Sequence, residues 1–475
     1  MTDDRTDPAW GTFLELGAPA DGPLHIRLAR ALRTAVTGGR IATGSTLPPS
    51  RRLAAELGCS RWVVTEAYAQ LAAEGYLEAR SGSATRVRAQ AAPAGTPPPP
   101  APADRPDPEF DLLPGVPDLR AFPRKAWADA VRDATRSLAR TELGYPDAQG
   151  LPLLRQRLAA YLVRGRGAAL DAGQLVVRGG TLDAVLQMCR LLRAAGHRRV
   201  AVEDPGWTRL RTVVAAEGLV PVPVPVDGDG LRVDLLFHEP QVRAVIVAPA
   251  HQFPTGVVLA PARRAALVAW ARERDGLVLE DDYDAEFRYD RHPVGVLQGM
   301  APEHVALMGS VSKTLSPALR IGWVAAPARW ADALAAAGAP PPVIDQRALA
   351  GFLASGAYDR HLRAARIRYK HRRDRLLDEL ASTLPGLPVS GAAAGFHLLL
   401  SLGDGPAACS PAAAVREAAR LGVRVADLDD YRVRRETDTG PPALVLGYGN
   451  LADPAVPGAV RRLAAAIDAA PRRET

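Results

Sequence analysis

Of the 59 basic residues in this 475-residue chain, only three are lysines: Lys125, Lys313 and Lys370. Chemistry that needs a primary side-chain amine therefore has three candidates, because an arginine guanidinium stays protonated. Lys313 stands in Gly309-Ser310-Val311-Ser312-Lys313, directly after an apolar run that reads as a strand. An amine at a strand end can form a Schiff base with a carbonyl cofactor whose phosphate is neutralised nearby. The hydroxyls of Ser310 and Ser312 and the guanidinium of Arg320 are suited to that phosphate. Lys125 follows Phe122-Pro123-Arg124, and Lys370 lies in an arginine-rich stretch; neither has such a setting.

A second apolar run, ending Leu279-Glu280-Asp281-Asp282-Tyr283-Asp284, closes on four carboxylates and a tyrosine. Buried carboxylates are costly unless cations or hydrogen bonds oppose them. A pyridinium nitrogen is one such partner, and the carboxylate in turn keeps it protonated as an electron sink. A metal ion is the rival, but the neighbouring His251 and His292 lack metal-ligand spacing, so no metal site is expected. Ala250-His251-Gln252-Phe253-Pro254-Thr255-Gly256 follows another apolar run and reads as a turn. Gly179-Gly180-Thr181 precedes a helical pattern whose first amides suit a phosphate. Trp207 can stack on an aromatic cofactor or fill the core.

The other chemistry is electrostatic. Between Pro23 and Arg88 there are ten arginines and four glutamates, which is +6 of the chain's +7. A compact basic unit at one end points to nucleic acid. Ser60-Arg61-Trp62-Val63-Val64-Thr65 opens a helical pattern, with Ser60 as its cap. Arg61 is long enough for bidentate contact to guanine, and Thr65 lies one turn on. Arg51 and Arg52 open the preceding helix, where phosphate contacts are favoured. Arg80, Arg86 and Arg88 flank the tip of an expected hairpin.

These residues need two scaffolds. Helical patterns over Leu24–Val36, Ser50–Leu57 and from Ser60 to Gly75, followed by the hairpin Tyr76–Arg88, predict a winged helix-turn-helix. After the proline-rich stretch 89–108, apolar runs alternate with amphipathic helices. The runs are Leu175–Val177, Val200–Val202, Val220–Val224, Ala244–Ala248, Leu277–Leu279, Val305–Met308 and Gly322–Ala325. They predict a buried, mostly parallel seven-stranded sheet with helices on both faces. A long basic helix, Tyr358–Leu380, then leads to a smaller C-terminal α/β portion. The expected domains are 23–88, a linker over 89–108, and 109–475. All the amine-site segments fall at strand ends, where open α/β sheets collect ligands. Apolar residues at 47% and charged residues at 23% exclude global disorder. The acidic N-terminus, the lack of a span-length apolar run and three scattered cysteines favour a reduced, cytoplasmic setting.

The basic unit also carries a resemblance. Leu47-Pro48-Pro49-Ser50-Arg51-Arg52-Leu53-Ala54, Leu57-Gly58-Cys59-Ser60-Arg61 and Ala73-Glu74-Gly75-Tyr76-Leu77 are similar to the GntR family of bacterial repressor domains. Residues 110–470 resemble class I aminotransferases of pyridoxal-phosphate fold type I. The carriers are Gly144-Tyr145-Pro146-Asp147, Pro249–Gly256 and Glu280–Tyr289. The whole chain resembles the MocR/GabR subfamily of GntR regulators.

The resemblance implies pyridoxal 5'-phosphate as cofactor and Lys313 as its internal-aldimine lysine. It implies Asp281 on the pyridine nitrogen, Tyr283 near the phenolic oxygen or the aldimine, and Trp207 stacked on the ring. Gly180, Thr181, Ser310, Ser312 and Arg320 would hold the phosphate. Arg209 and His251 are candidates for effector contacts. It further implies operator DNA as partner, an amine or amino-acid effector, and a homodimer with domains swapped head to tail. The linker, extended as polyproline, reaches roughly 60 Å, enough for that swap. Two departures stand out: Phe253 replaces the usual asparagine before the Pro-Thr-Gly turn, and Ala443–Tyr448 lacks the arginine that holds a substrate carboxylate. A working aminotransferase with an accessory DNA-binding domain is the alternative function; a regulator without cofactor is the third.

Overall fold

The computed structural model describes residues 14–18, 21–78, 84–88, 108–289, 294–391, 393–403, 409–433 and 441–471. The chain divides into two compact units, Met1–Pro106 and Asp107–Thr475.

In the first unit, α1 (Leu24–Thr37), α2 (Ser50–Glu56) and α3 (Arg61–Ala73) precede a short hairpin, β1 (Leu77–Glu78) and β2 (Arg86–Val87). Leu28, Leu32, Leu53, Val64, Leu71, Leu77 and Val87 form one core. Their helical and alternating spacing puts all of them on inward faces. The buried Tyr68 hydroxyl donates to the Pro48 carbonyl at 2.9 Å, tying α3 to the turn before α2. Ser60 occupies the N-cap of α3 as expected, but its side chain makes no capping hydrogen bond.

The second unit is built on a sheet of eight strands where the sequence predicted seven. Its strands are β3 (Leu175–Arg178), β4 (Arg199–Asp204), β5 (Val220–Asp227), β6 (Gly230–Leu231), β7 (Ala244–Val247), β8 (Leu277–Asp281), β9 (Val305–Ser310) and β10 (Gly322–Ala325). The spatial order is β3-β10-β9-β8-β7-β4-β5-β6. The extra strand is two residues long: Gly228-Asp229 turns the chain back so that Val226 pairs with Leu231. Its two residues carry too little pattern to be read as a strand. Only β6 and β10 run against the direction of the other six strands. Every residue of β7, β8, β9 and β10 is buried, which is why these strands read as continuous apolar runs. Alternation along them separates the cores. Val176, Val202, Ile246, Leu279 and Met308 pack on one face, and Ala201, Val245 and Val278 on the other.

A 27-residue helix, Ala357–Thr383, leads to a four-stranded antiparallel sheet in which His397–Ser401 pairs with Ala443–Gly447. Among the described residues no helix is long and apolar enough to cross a membrane.

Candidate functional site

The C-terminal ends of β3, β4, β7, β8 and β9 open on one edge of the large sheet, as parallel strands must. The antiparallel β10 begins there. The segments after those ends surround a cavity of about 390 Å³. Gly180, Thr181, Trp207, Arg209, Asp281, Tyr283, Ser310, Ser312, Lys313 and Arg320 all line it.

Lys313 follows β9 in a turn closed by the Leu315 amide on the Val311 carbonyl at 2.8 Å. Its Nζ donates to the Gly115 carbonyl at 2.5 Å. Burial lowers its pKa below the ordinary lysine value, against the opposing pull of Asp284 and Asp281. The amine is thereby shifted toward its nucleophilic, unprotonated form. Lys125 and Lys370 are instead surface residues paired with Asp129 and Asp374.

The carboxylates around β8 separate by partner. Glu280 accepts the amides of Leu297 and Gln298 at 2.9 and 3.0 Å. Asp282 takes a bidentate contact from the buried Arg166 at 2.8 and 2.7 Å. Asp284 faces His251 Nδ1 at 2.8 Å. Asp281 alone of the four lines the cavity with a buried oxygen, Oδ1, that has no hydrogen-bond partner. Burial, then the neighbouring Asp282, push its carboxyl up to about 7. An orphaned acceptor of this kind fits a protonated ring nitrogen.

The opposite end of the cavity suits an anion. Gly180, at φ +108°, caps the helix α4 (Thr181–Ala194) in a backbone conformation that L side chains avoid. Arg320 lies close by: its Nη1 is 3.7 Å from where a Gly180 Cβ would stand. Among the described residues Arg320 has no ion-pair partner, so its charge is available. Asp183 already accepts from the Gly179 amide at 2.9 Å, which leaves later amides of the turn for a phosphate.

Trp207 is half-buried and lines the cavity, outside the apolar clusters of the core. Arg209 is exposed at the same wall. His251 is placed differently from the expected effector contact. It is 2% exposed, does not line the cavity, and stands behind Tyr283, 3.1 Å from the phenol. Its segment turns inward after β7.

The sequence reading missed two wall residues. Glu203, near the end of β4, accepts from the Ala248 amide at 3.3 Å and is pushed up to about 8 by burial. Its place beside the strand end was a usable signal. Tyr431 comes from a distant segment that no local pattern marks. Its ring meets Phe253 edge-on at 5.0 Å, and its carbonyl holds the Gly206 amide at 3.0 Å. Among the described residues no group of three metal-ligating side chains occurs.

In the first unit, α3 exposes Arg61, Trp62, Thr65, Glu66 and Ala69 along one stripe. Arg61 Nε donates to Ser50 Oγ at 3.3 Å, and the Thr65 hydroxyl turns back to the Arg61 carbonyl at 2.9 Å. Arg51, Arg52, Ser60 and Arg86 are exposed, with Arg52 paired to Glu56 at 3.0 Å. Arg80 lies outside the described residues. Trp62 was not singled out from sequence; it is 60% exposed and meets His25 edge-on at 5.2 Å.

Fold and site together define an aminotransferase-type domain carried on the same chain as a winged helix. The model for aminotransferase class I and II matches residues 115–420, and that for bacterial regulatory proteins of the gntR family matches residues 25–87. The chain belongs to the aminotransferase class I and II family, in its GntR-type transcriptional-regulator branch. It is 35% identical over 431 residues to the HTH-type pyridoxine biosynthesis transcriptional regulator PdxR of Corynebacterium glutamicum, covering 89% of this chain and 91% of that protein. It is 33% identical over 384 residues to the probable rhizopine catabolism regulatory protein MocR of Rhizobium meliloti, covering 76% and 78%. Among solved structures, an archaeal alanine:glyoxylate aminotransferase superposes with a TM-score of 0.69 at 24% identity, over 76% of this chain and 90% of that one. Pyridoxal 5'-phosphate is the cofactor of the family, and the cavity's orphaned Asp281, unpaired Arg320 and buried amine fit it.

Proposed function

We propose that this regulator senses a small amine or amino acid in the cavity and converts its presence into altered binding of operator DNA. The observation that carries the reading is the convergence of Lys313, the orphaned Asp281 oxygen and the unpaired Arg320 on one cavity. The same chain bears an exposed basic helix-turn-helix.

When bound, pyridoxal phosphate supplies an aldehyde that condenses reversibly with primary amines. Asp281 would hold the ring nitrogen and its proton. Arg320, Thr181 and Ser310 would hold the phosphate. Trp207 would cover the ring. Lys313, its proton affinity lowered by burial, would present its amine to the aldehyde and would be the group that an incoming amine displaces. Arg209, exposed at the wall, is the cation left for an effector carboxylate, because Ala443–Gly447 carries no arginine. Ser60, Arg61 and Thr65 would face bases, and Arg51, Arg52, Arg80 and Arg86 phosphates. We assign residues 23–88 to the reader, 89–108 to the linker and 109–475 to the sensor, acting in the cytoplasm as a homodimer with domains exchanged head to tail. The effector shifts DNA affinity only by its preference for one state over the other.

A second reading is that the cofactor is itself the signal. The missing C-terminal arginine favours it, and so do relatives named for vitamin B6 supply, PdxR and the Salmonella typhimurium salvage-pathway repressor PtsJ. One experiment separates the two: operator binding of the cofactor-free protein, the PLP-loaded protein, and the loaded protein titrated with amines and amino acids while its visible absorbance is followed. A change on amine addition supports the first reading. A change on PLP loading alone supports the second. Steady turnover with an amino donor and a keto acid would instead establish a working aminotransferase.

A further inference from the structure

Tyr283 lines the cavity, but two groups behind it decide where its proton points. His251 and Asp284 are 2% and 1% exposed. His251 Nδ1 lies 2.8 Å from Asp284 Oδ2 and 3.1 Å from the Tyr283 hydroxyl. A carboxylate only accepts, so the proton of the shorter contact sits on Nδ1. A protonated Nδ1 cannot accept from the phenol. Asp284, already a hydrogen-bond partner of the phenol, has one of its two oxygens, Oδ2, engaged by this contact. With Nδ1 a donor and Oδ2 engaged by it, Asp284 holds the phenolic proton less strongly, and an acceptor in the cavity can compete for it. Phe253, also on the wall, offers no side-chain donor.

The ring's other nitrogen, Nε2, is buried with no hydrogen-bond partner, so His251 acts on its surroundings through Nδ1 alone. Packing fixes it. The His397 ring centroid is 4.9 Å away, and the chain crosses the imidazole at Gly395, φ +64°. A Cβ on Gly395 would stand 2.2 Å from His251 Cε1 and 2.6 Å from Asp284 Oδ2. The loop accommodates the imidazole–carboxylate pair only as glycine.

We propose that His251 is a positioning residue: by engaging Asp284 it weakens that carboxylate's hold on the Tyr283 hydroxyl, which is then available to donate to the phenolic oxygen of the cofactor. The proposal rests on the cofactor assignment above. The ionisable groups facing the phenol are Asp284, Asp281 and Glu203; those facing the imidazole–carboxylate pair are His397, Lys313, Asp281, Tyr289 and Tyr448. A donor at the phenolic oxygen favours the deprotonated, more negative form of the bound cofactor. Its loss therefore makes the cofactor harder to deprotonate.

The test is the pH titration of the visible absorbance of the PLP-loaded full chain. His251→Phe keeps a ring without the Nδ1 proton and raises the midpoint by about one pH unit, the size of one lost hydrogen bond. His251→Asn, whose amide N–H falls near Nδ1, restores the wild-type midpoint. In a Tyr283→Phe background, His251→Phe adds no shift. An unchanged midpoint in His251→Phe, an equal shift in His251→Asn, or an added shift over Tyr283→Phe overturns the proposal. Thermal unfolding without PLP reports any folding damage separately. If His251→Phe does not fold, His251→Gln decides: its amide falls near Nε2, so it must shift while His251→Asn does not. A wild-type chain that takes up no PLP refutes the cofactor assignment instead.

Discussion

Asp281 offers a direct measure of how far the site is built for a partner it lacks when empty. Its carboxyl is 7% exposed, one oxygen is orphaned, and its pKa is pushed from 3.8 up to about 7, mainly by burial. A shift of roughly three units corresponds to about 4 kcal/mol. The sign follows from proton binding. The folded state holds the proton more tightly than the unfolded chain, so nothing is lost below about pH 4. Stability then falls as pH rises, and the full penalty is present above about pH 7. Water in a polar cavity and the nearby Lys313 reduce it, so about 1–3 kcal/mol is the expected range. Asp281→Asn removes the charge at nearly constant shape. Thermal or urea unfolding of the cofactor-free proteins should show the variant more stable than wild type at pH 8, with little difference at pH 4. The same substitution should weaken PLP retention, since an amide cannot balance a protonated ring nitrogen. A variant no more stable than wild type at pH 8, or a gain equal at both pH values, would refute the reasoning.

Three further outcomes are expected. Lys313→Ala should abolish borohydride trapping of PLP while the circular dichroism spectrum is kept; trapping that persists moves the amine role elsewhere. Asp282→Asn strands the buried Arg166 guanidinium and should destabilise the second unit by about 3–5 kcal/mol in urea unfolding, whereas a near-zero change would show the pair to be hydrated. Arg61→Ala should lower discrimination between a selected operator and unrelated duplex by ~1–3 kcal/mol. Uniform weakening with a shallower salt slope would make Arg61 a phosphate contact.

The strands were legible because burial on both faces leaves continuous apolar runs, and the site segments because each follows one of those runs. Helix α3 was legible from Val64, Ala67, Tyr68 and Leu71 at helical spacing. What spacing could not show is which way a side chain turns. His251 sits in a motif at a strand end, yet its ring points inward to Asp284. Ser60 stands at a helix start without bonding to it. The four acids after Leu279 looked equivalent in sequence. Their separate roles depend on Arg166, Leu297, Gln298 and His251, which come from other segments. Tyr431 reaches the cavity through a tertiary contact with no local signature.

The carboxylates show how such a site can serve regulation. Glu280 and Asp282 are closed by amides and by Arg166, protein partners that hold the end of β8. Asp284 accepts from His251, which also stands 3.1 Å from the Tyr283 hydroxyl. Only Asp281 is left open, so its relief depends on what enters the cavity. A ligand can move a two-state equilibrium by no more than its differential free energy between the states. The unpaired carboxylate sets the scale of what the ring nitrogen can contribute to that difference. In the proposed reading an effector's own share would come from other wall residues, Arg209 and Tyr431 among them. Substituting Arg209 by glutamine should therefore weaken an effector bearing a carboxylate and leave PLP retention unchanged; equal loss of both would place Arg209 on the cofactor.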